Sequence, residues 1–250
     1  IMIICKTREQ IAKMRDAGKI VAEVLALMEE YAKPGISTAE LDQIAEAHIR
    51  KSGAVPTFLG YGGFPASICA SINEEVIHGI PRSDKILQAG DIISIDVGAT
   101  FRGYVGDAAR TFPVGEISEE DARLIRVTEE SFFEGLKQAV AGNKLGDISH
   151  AVQKHVEKNG FSVIRDYTGH GVGQKMHEDP SVPNYGRSGK GPRLKSGLTI
   201  ALEPMVAAGH YSLRTLRDHW TCVTRDGSMA AHYENTFAVT DGEPEILTRL

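Results

Sequence analysis

Apolar residues recur at three- and four-residue spacing from Arg8 to Tyr31, with Ile11, Met14, Ala17, Val21, Leu25 and Met28 on one stripe, which predicts an amphipathic helix. Gly18 interrupts the stripe and costs an isolated helix about 1 kcal/mol against alanine. Lys33-Pro34-Gly35 ends the pattern, and Ser37 or Thr38 is placed to cap a second helix that runs to Lys51 and closes at Gly53. Residues 60–65 are too rich in glycine for a helix, Ile68–Ile72 reads as a short strand, and 73–81 reads as a connecting loop. The period then changes. Ile92, Ile93, Ile95 and Val97 are β-branched, residues 100–103 carry a turn signal, and 104–112 reads as a returning strand.

The same order follows in the second half. Residues 118–140 predict a long helix with a Ser118…Asp121 capping pattern. Residues 147–158 predict another, closed by Asn159-Gly160. A Gly-rich run at 168–173 and a polar loop at 177–192 lead to a strand at 198–206 carrying Glu203. Further strands are expected at 220–224 and 233–239, the latter with Glu234 near its start. Shifting the chain by 107 positions lays Gly35 on Gly142, His48 on His155, Gly53 on Gly160, Leu87 on Leu194, Gly90 on Gly197 and Asp96 on Glu203. Coincident identities and element order predict a duplicated architecture. We expect one α/β domain made of two pseudo-symmetric halves, about residues 8–115 and 116–250.

Composition narrows the class. Hydrophobic residues at 42% and charged residues at 24% of 250 suit a globular protein with a sizeable core. A net charge of -5 gives no reason to expect nucleic acid as a partner. No apolar run approaches the ~18 residues of a membrane span. The opening IMIICKTREQ lacks the features of a signal peptide; Met2 reads as the natural start and Ile1 as a remnant. Cys5, Cys69 and Cys222 form no paired spacing, which favours a reduced, cytoplasmic setting.

Candidate chemistry centres on Asp96 and Asp107. A two-residue loop at Phe101-Arg102 would set them directly opposite each other, roughly 5 Å apart at Cβ, where like charges destabilise the pair. Apolar neighbours make unpaired burial costly as well; a bound cation reverses both penalties. The plainer alternative is a surface hairpin with solvated aspartates. With Glu203, Glu234 and a histidine, the set is oxygen-rich and suits Mn, Fe, Co or Zn. Four carboxylates exceed the charge of one divalent ion, so two adjacent ions fit better, an arrangement that serves hydrolysis. The His-Glu-x-x-His, Gly-x-Ser-x-Gly and P-loop patterns are absent. Among the histidines, His170 and His177 share a Gly-rich segment and gain from it. His78 is weaker alone, and His48, His150, His155, His210, His219 and His232 read as structural or surface residues.

Several short motifs then fall in one order: Asn73-x-x-Val76-x-His78-Gly79-Ile80-Pro81, the Asp96/Asp107 pair, Gly169-His170-Gly171-Val172-Gly173 with His177-Glu178-x-Pro180, Glu203-Pro204-Met205, and Glu234. Over essentially the whole chain this resembles the methionine aminopeptidases of the short bacterial type I class. The resemblance implies the pita-bread fold, an internally duplicated α/β domain with a mostly antiparallel central sheet and flanking helices. It implies removal of the initiator methionine from nascent polypeptides whose second residue is small, and two divalent ions (Co, Mn, Fe or Zn). Asp96, Asp107, His170, Glu203 and Glu234 would be the metal ligands, with Asp107 and Glu234 bridging and Glu203 also the proton shuttle. His78 and His177 would contact substrate and act in catalysis, and Tyr61, Phe64, Cys69 and Trp220 would form the methionine pocket, with Phe58 and Met176 nearby. The resemblance further implies a monomer with nascent chains and a transient ribosome contact as partners. Phe58, Phe64 and Asn235 depart from residues common in relatives, which touches pocket shape and not the ligand set. The competing readings are an Xaa-Pro aminopeptidase of the same fold and a pita-bread binding module without catalysis.

Overall fold

The structure, a computed structural model, describes residues 2–250; Ile1, read above as a remnant, lies outside them. Its helices are α1 (Arg8–Tyr31), α2 (Thr38–Lys51), α3 (Glu119–Leu136) and α4 (Leu145–Lys158). Its strands are β1 (Val55–Pro56), β2 (Ile68–Ile72), β3 (Glu75–Ile77), β4 (Ile92–Phe101), β5 (Tyr104–Pro113), β6 (Ser162–Val163), β7 (Gly169–Gly171), β8 (Glu178–Val182), β9 (Thr199–Leu202), β10 (Met205–Ala207), β11 (Leu213–Thr215), β12 (Cys222–Thr224), β13 (Ala230–His232), β14 (Glu234–Ala238) and β15 (Glu245–Ile246).

The helices begin where their capping residues stand. Thr7 and Gln10 exchange side-chain and backbone bonds ahead of α1, and Ser37 and Glu40 do the same ahead of α2, each satisfying two otherwise unpaired N–H groups. The helix expected to reach residue 140 stops at Leu136, because the N–H groups of Gln138 and Ala139 turn back to Gly135 and Leu136 at 2.9 Å and tighten the chain into a last 3₁₀-like turn. Gly18, an interruption by pattern, is required by packing: a Cβ there would lie 2.1 Å from the Leu247 carbonyl oxygen.

Nine strands form one antiparallel sheet in the order β1-β4-β5-β14-β9-β7-β8, with β2 on β4 and β15 on β14. One face of its first half packs on α1 and α2, where Val21, Leu25, Leu41 and Ile49 meet Ile93, Ile95 and Val97. The second half packs on α3 and α4, where Phe132, Ile148 and Val152 meet Ile200, Leu202 and Phe237. Fully burying each such side chain contributes about 1.5–3 kcal/mol. β14 lies between β5 and β9 and so joins the two layers into one sheet.

The duplication recurs in the contacts. The Gly35 N–H donates to Leu87 at 2.8 Å, and Gly142 to Leu194 at 2.9 Å. Isolated bridges pair Ser37 with Ile86 and Lys144 with Arg193. His48 meets Glu23 at 2.9 Å, and His155 meets Glu130 at 3.0 Å. Every pair is related by the same shift of 107 residues. The chain thus has an internally duplicated α/β fold.

Three expectations are corrected. The strand at 198–206 is two, β9 and β10, because it breaks at Glu203-Pro204, where proline has no N–H for a ladder. The loop at 177–192 contains β8, an edge strand, and Pro180 sits there because an edge tolerates a missing donor. The connecting loop at 73–81 contains β3.

Candidate active site

Five strands that lie side by side, β4, β5, β14, β9 and β7, bring together Asp96, Asp107, Glu234, Glu203 (directly after the end of β9) and His170. The hairpin register differs from the one expected. Asp96 pairs with Ala109 and Asp107 with Gly98, so the aspartates are diagonal neighbours rather than opposite ones. The loop is Arg102-Gly103, with φ of 49° and 78°, the left-handed pair that matches the twist of two-residue hairpins. A two-residue change of pairing leaves every side chain on its original face. Asp96 and Asp107 therefore share the site face, while Ile95, Val97 and Ala108 go to the helix layer.

His170 Nε2 stands 3.6 Å from both Asp107 Oδ2 and Glu203 Oε1. Its Nδ1 is 2.9 Å from the Gly171 carbonyl; that bond assigns the ring proton to Nδ1 and leaves the Nε2 lone pair turned to the carboxylates. Asp107, His170 and Glu234 each offer a donor atom within 4.8 Å of the others, as do Glu203, His232 and Glu234. Asp96 Oδ1, Asp107 Oδ1, Glu234 Oε1 and His232 Nε2 are enclosed without a hydrogen-bond partner. Buried charges without partners are costly. Burial pushes Asp96 up to about 7. Burial, then the neighbouring carboxylates, holds Asp107, Glu203 and Glu234 well above the usual carboxylate range. Burial lowers His170 to about 4 and His232 to about 3. An enclosed group of acids, two neutral imidazoles and orphaned oxygens fits divalent cations, which supply the missing charge.

The surroundings fix these groups. Thr236 Oγ1 donates to the Asp107 carbonyl at 2.8 Å. Arg110 donates to the Glu234 carbonyl and to Asn235 Oδ1 and stacks 4.1 Å over the Tyr233 ring. Asn235, an expected departure, also accepts from Thr248 Oγ1 at 2.9 Å. It thus belongs to the bracing behind Glu234 and not to the cavity.

A cavity of about 320 Å³ opens on this cluster. His78, His177, Tyr61, Phe64, Cys69 and Trp220 line it, as do Phe58 and Met176. Phe64 meets Trp220 edge-on at 5.1 Å, and Cys69 on β2 is the register partner of Asp96. A Cβ on Gly98 would come within 2.5 Å of the Phe58 ring, so glycine there leaves room for that wall. Tyr61 is 47% exposed and sits at the rim, its hydroxyl 2.7 Å from His177 Nδ1. The His177 ring lies 4.3 Å from that of His170. His78 has φ of 58° and meets the edges of Tyr167 and Trp220; burial lowers it to about 4. Sequence reasoning missed Ile77, Tyr167 and Thr168 in the wall and His232 behind Glu203. His232 stands two residues before Glu234, a spacing that carries two side chains to one face of an extended chain.

Residues 12–241 match metallopeptidase family M24. The chain belongs to metallopeptidase family M24, among the methionine aminopeptidases. Methionine aminopeptidase of Clostridium acetobutylicum is 61% identical over 99% of both chains. Methionine aminopeptidase 1 of Bacillus subtilis is 56% identical over 100% of both. The crystal structure of methionine aminopeptidase from Thermotoga maritima superposes with a TM-score of 0.98 at 45% identity, covering 100% of each chain. The fold is therefore the pita-bread fold of these enzymes. Full-length similarity of this kind supports the methionine aminopeptidase reading over the Xaa-Pro alternative. No helix among the described residues is long and apolar enough to cross a membrane.

Proposed function

We propose that this chain is the metal-dependent aminopeptidase that removes N-terminal methionine from peptides and nascent polypeptides whose second residue is small. The observation that supports the reading is the meeting, in one cavity, of five acidic and imidazole side chains of metal-ligating type with an apolar wall of Phe58, Phe64, Cys69 and Trp220. Asp96, Asp107, His170, Glu203 and Glu234 would hold two divalent ions, Co, Mn, Fe or Zn. Such ions supply Lewis acidity and lower the pKa of water. Glu203 would accept a proton from the attacking water and return it to the leaving amine. A carboxyl raised by burial is suited to both steps. His177 and His78 would contact the substrate backbone, and the apolar wall would take the unbranched methionine side chain. The intact donor set argues against a binding module without catalysis. We further infer one domain of two pseudo-symmetric halves, about residues 8–115 and 116–250, acting as a cytoplasmic monomer with transient ribosome contact.

The test is direct. Metal-free protein is incubated with Met-Ala-Ser, Met-Lys-Ser and Xaa-Pro peptides across a series of Co, Mn, Fe and Zn. Release of methionine from Met-Ala-Ser alone is expected. Efficient cleavage of Xaa-Pro or Met-Lys peptides would overturn the specificity.

A further inference from the structure

His232 lies at the end of β13, where it pairs with Met205 of β10. Thr111 Oγ1 clamps its backbone, donating to the His232 carbonyl and accepting from its N–H at 2.9 Å each. The side chain is 1% exposed. Its Nε2 has no hydrogen-bond partner, yet it lies 3.8 Å from Glu203 Oε2 and 3.7 Å from Glu234 Oε2. These distances are too long for hydrogen bonds. They fall within the span of two donors around one ion, since metal–N and metal–O bonds near 2.1 Å allow a separation of up to about 4.2 Å. His170 stands in the same relation on the other side, 3.6 Å from Glu203 Oε1. Glu203 is thus bracketed by two imidazoles, one at each carboxylate oxygen. A rigid, buried nitrogen without a partner, held at ligand spacing from two acids, is more than a packed core histidine.

We propose that His232 is a further metal-binding residue, whose Nε2 supplies a nitrogen donor to the ion that Glu203 and Glu234 share. The inference rests on the reading of the carboxylate cluster as a metal centre. It adds a sixth side chain to the five assigned there and sets the nitrogen content of the centre at two. Imidazole is a softer donor than carboxylate and favours Zn, Co or Fe over Mn or Mg. Removal of His232 should therefore weaken binding of Zn and Co more than that of Mn.

The test uses the whole chain, freed of metal and titrated with Co by calorimetry and by visible absorption. Relative to the unaltered protein, His232→Ala should weaken one binding event by more than the ~10–100-fold that loss of an outer-shell partner costs, keep the other, and change the Co absorption of the affected ion. Alanine opens a buried cavity, so His232→Gln is measured beside it. Glutamine keeps bulk and polarity without the imidazole nitrogen, and the same loss is expected. Two binding events of unchanged affinity and spectrum in either folded variant would overturn the proposal alone. Unaltered protein that binds no divalent ion would overturn both the proposal and the reading beneath it.

Discussion

His177 is held from behind by the Tyr61 hydroxyl on its Nδ1, which leaves the other ring nitrogen free to serve a substrate. Donors aimed at developing negative charge contribute on the order of 10²–10³ in kcat. His177→Ala should therefore keep its metals and bind methionine nearly as well, yet turn over about 10²-fold more slowly; a raised KM at normal kcat would reduce it to a structural part. Tyr61→Phe removes only the brace, so its kcat should fall less than that of His177→Ala, and steady-state kinetics of both variants on Met-Ala-Ser decide the order. Asp96 differs in kind. Its enclosed Oδ1 lacks a partner, which a bound cation would supply, and on the proposed metal-centre reading Asp96→Ala should lose at least one equivalent of bound metal with α1 to α4 intact. Metal analysis of the purified variant against its circular dichroism checks this, and unchanged stoichiometry would count against the site.

Between elements, backbone proximity sets the limits. α1 crosses β5 where a Cβ on Gly106 would lie 2.7 Å from the Gly18 nitrogen. Neither partner is a flexible side chain, so Gly106→Ala must push the helix off the strand that carries Asp107. Overpacking of this kind costs about 1–3 kcal/mol, read as a lower urea midpoint at unchanged slope. The same scale shows what was legible in the chain. α1 followed from its apolar spacing and α2 from the cap at Ser37 or Thr38, because both signals are local. The site acids were legible despite a misread register, since Gly103 placed the turn one residue later without changing the parity of Asp96 and Asp107. The break at Glu203-Pro204 was signalled by the proline and read through. His232 was legible only in part: its two-residue spacing from Glu234 lay in view, but its approach to Glu203 depends on the pairing of β13 with β10, which no short window contains.

For the whole molecule, the buried titrating groups set a pH response with opposed parts. The site carboxyls have raised pKa values, Asp96 at about 7 and the others well above the usual range. They bind more protons folded than unfolded, so their contribution is full at low pH and lost as pH rises. His78 and His170 are lowered to about 4 and His232 to about 3. They bind fewer protons folded, so theirs grows as pH rises through about 6.5 and is complete about one pH unit higher, where the unfolded histidines finish titrating. The sets oppose each other up to about pH 7.5, and above it the raised carboxyls still differ between states. Metal-free protein should lose thermal stability from about pH 7.5 to 8.5, and saturating divalent ion should abolish that loss. Melts with chelator and with Mn at both pH values measure it, and an equal loss in both would refute the assignment of charge. The place of β14 has a consequence in time. It is synthesised after β5 and β9 but inserted between them, and it carries Glu234. A chain halted before residue 234 thus shows two unpaired sheet edges, which invite other chains. The one strand that covers both edges also delivers Glu234 to the candidate site, so closing the sheet and completing the donor set depend on the same late segment.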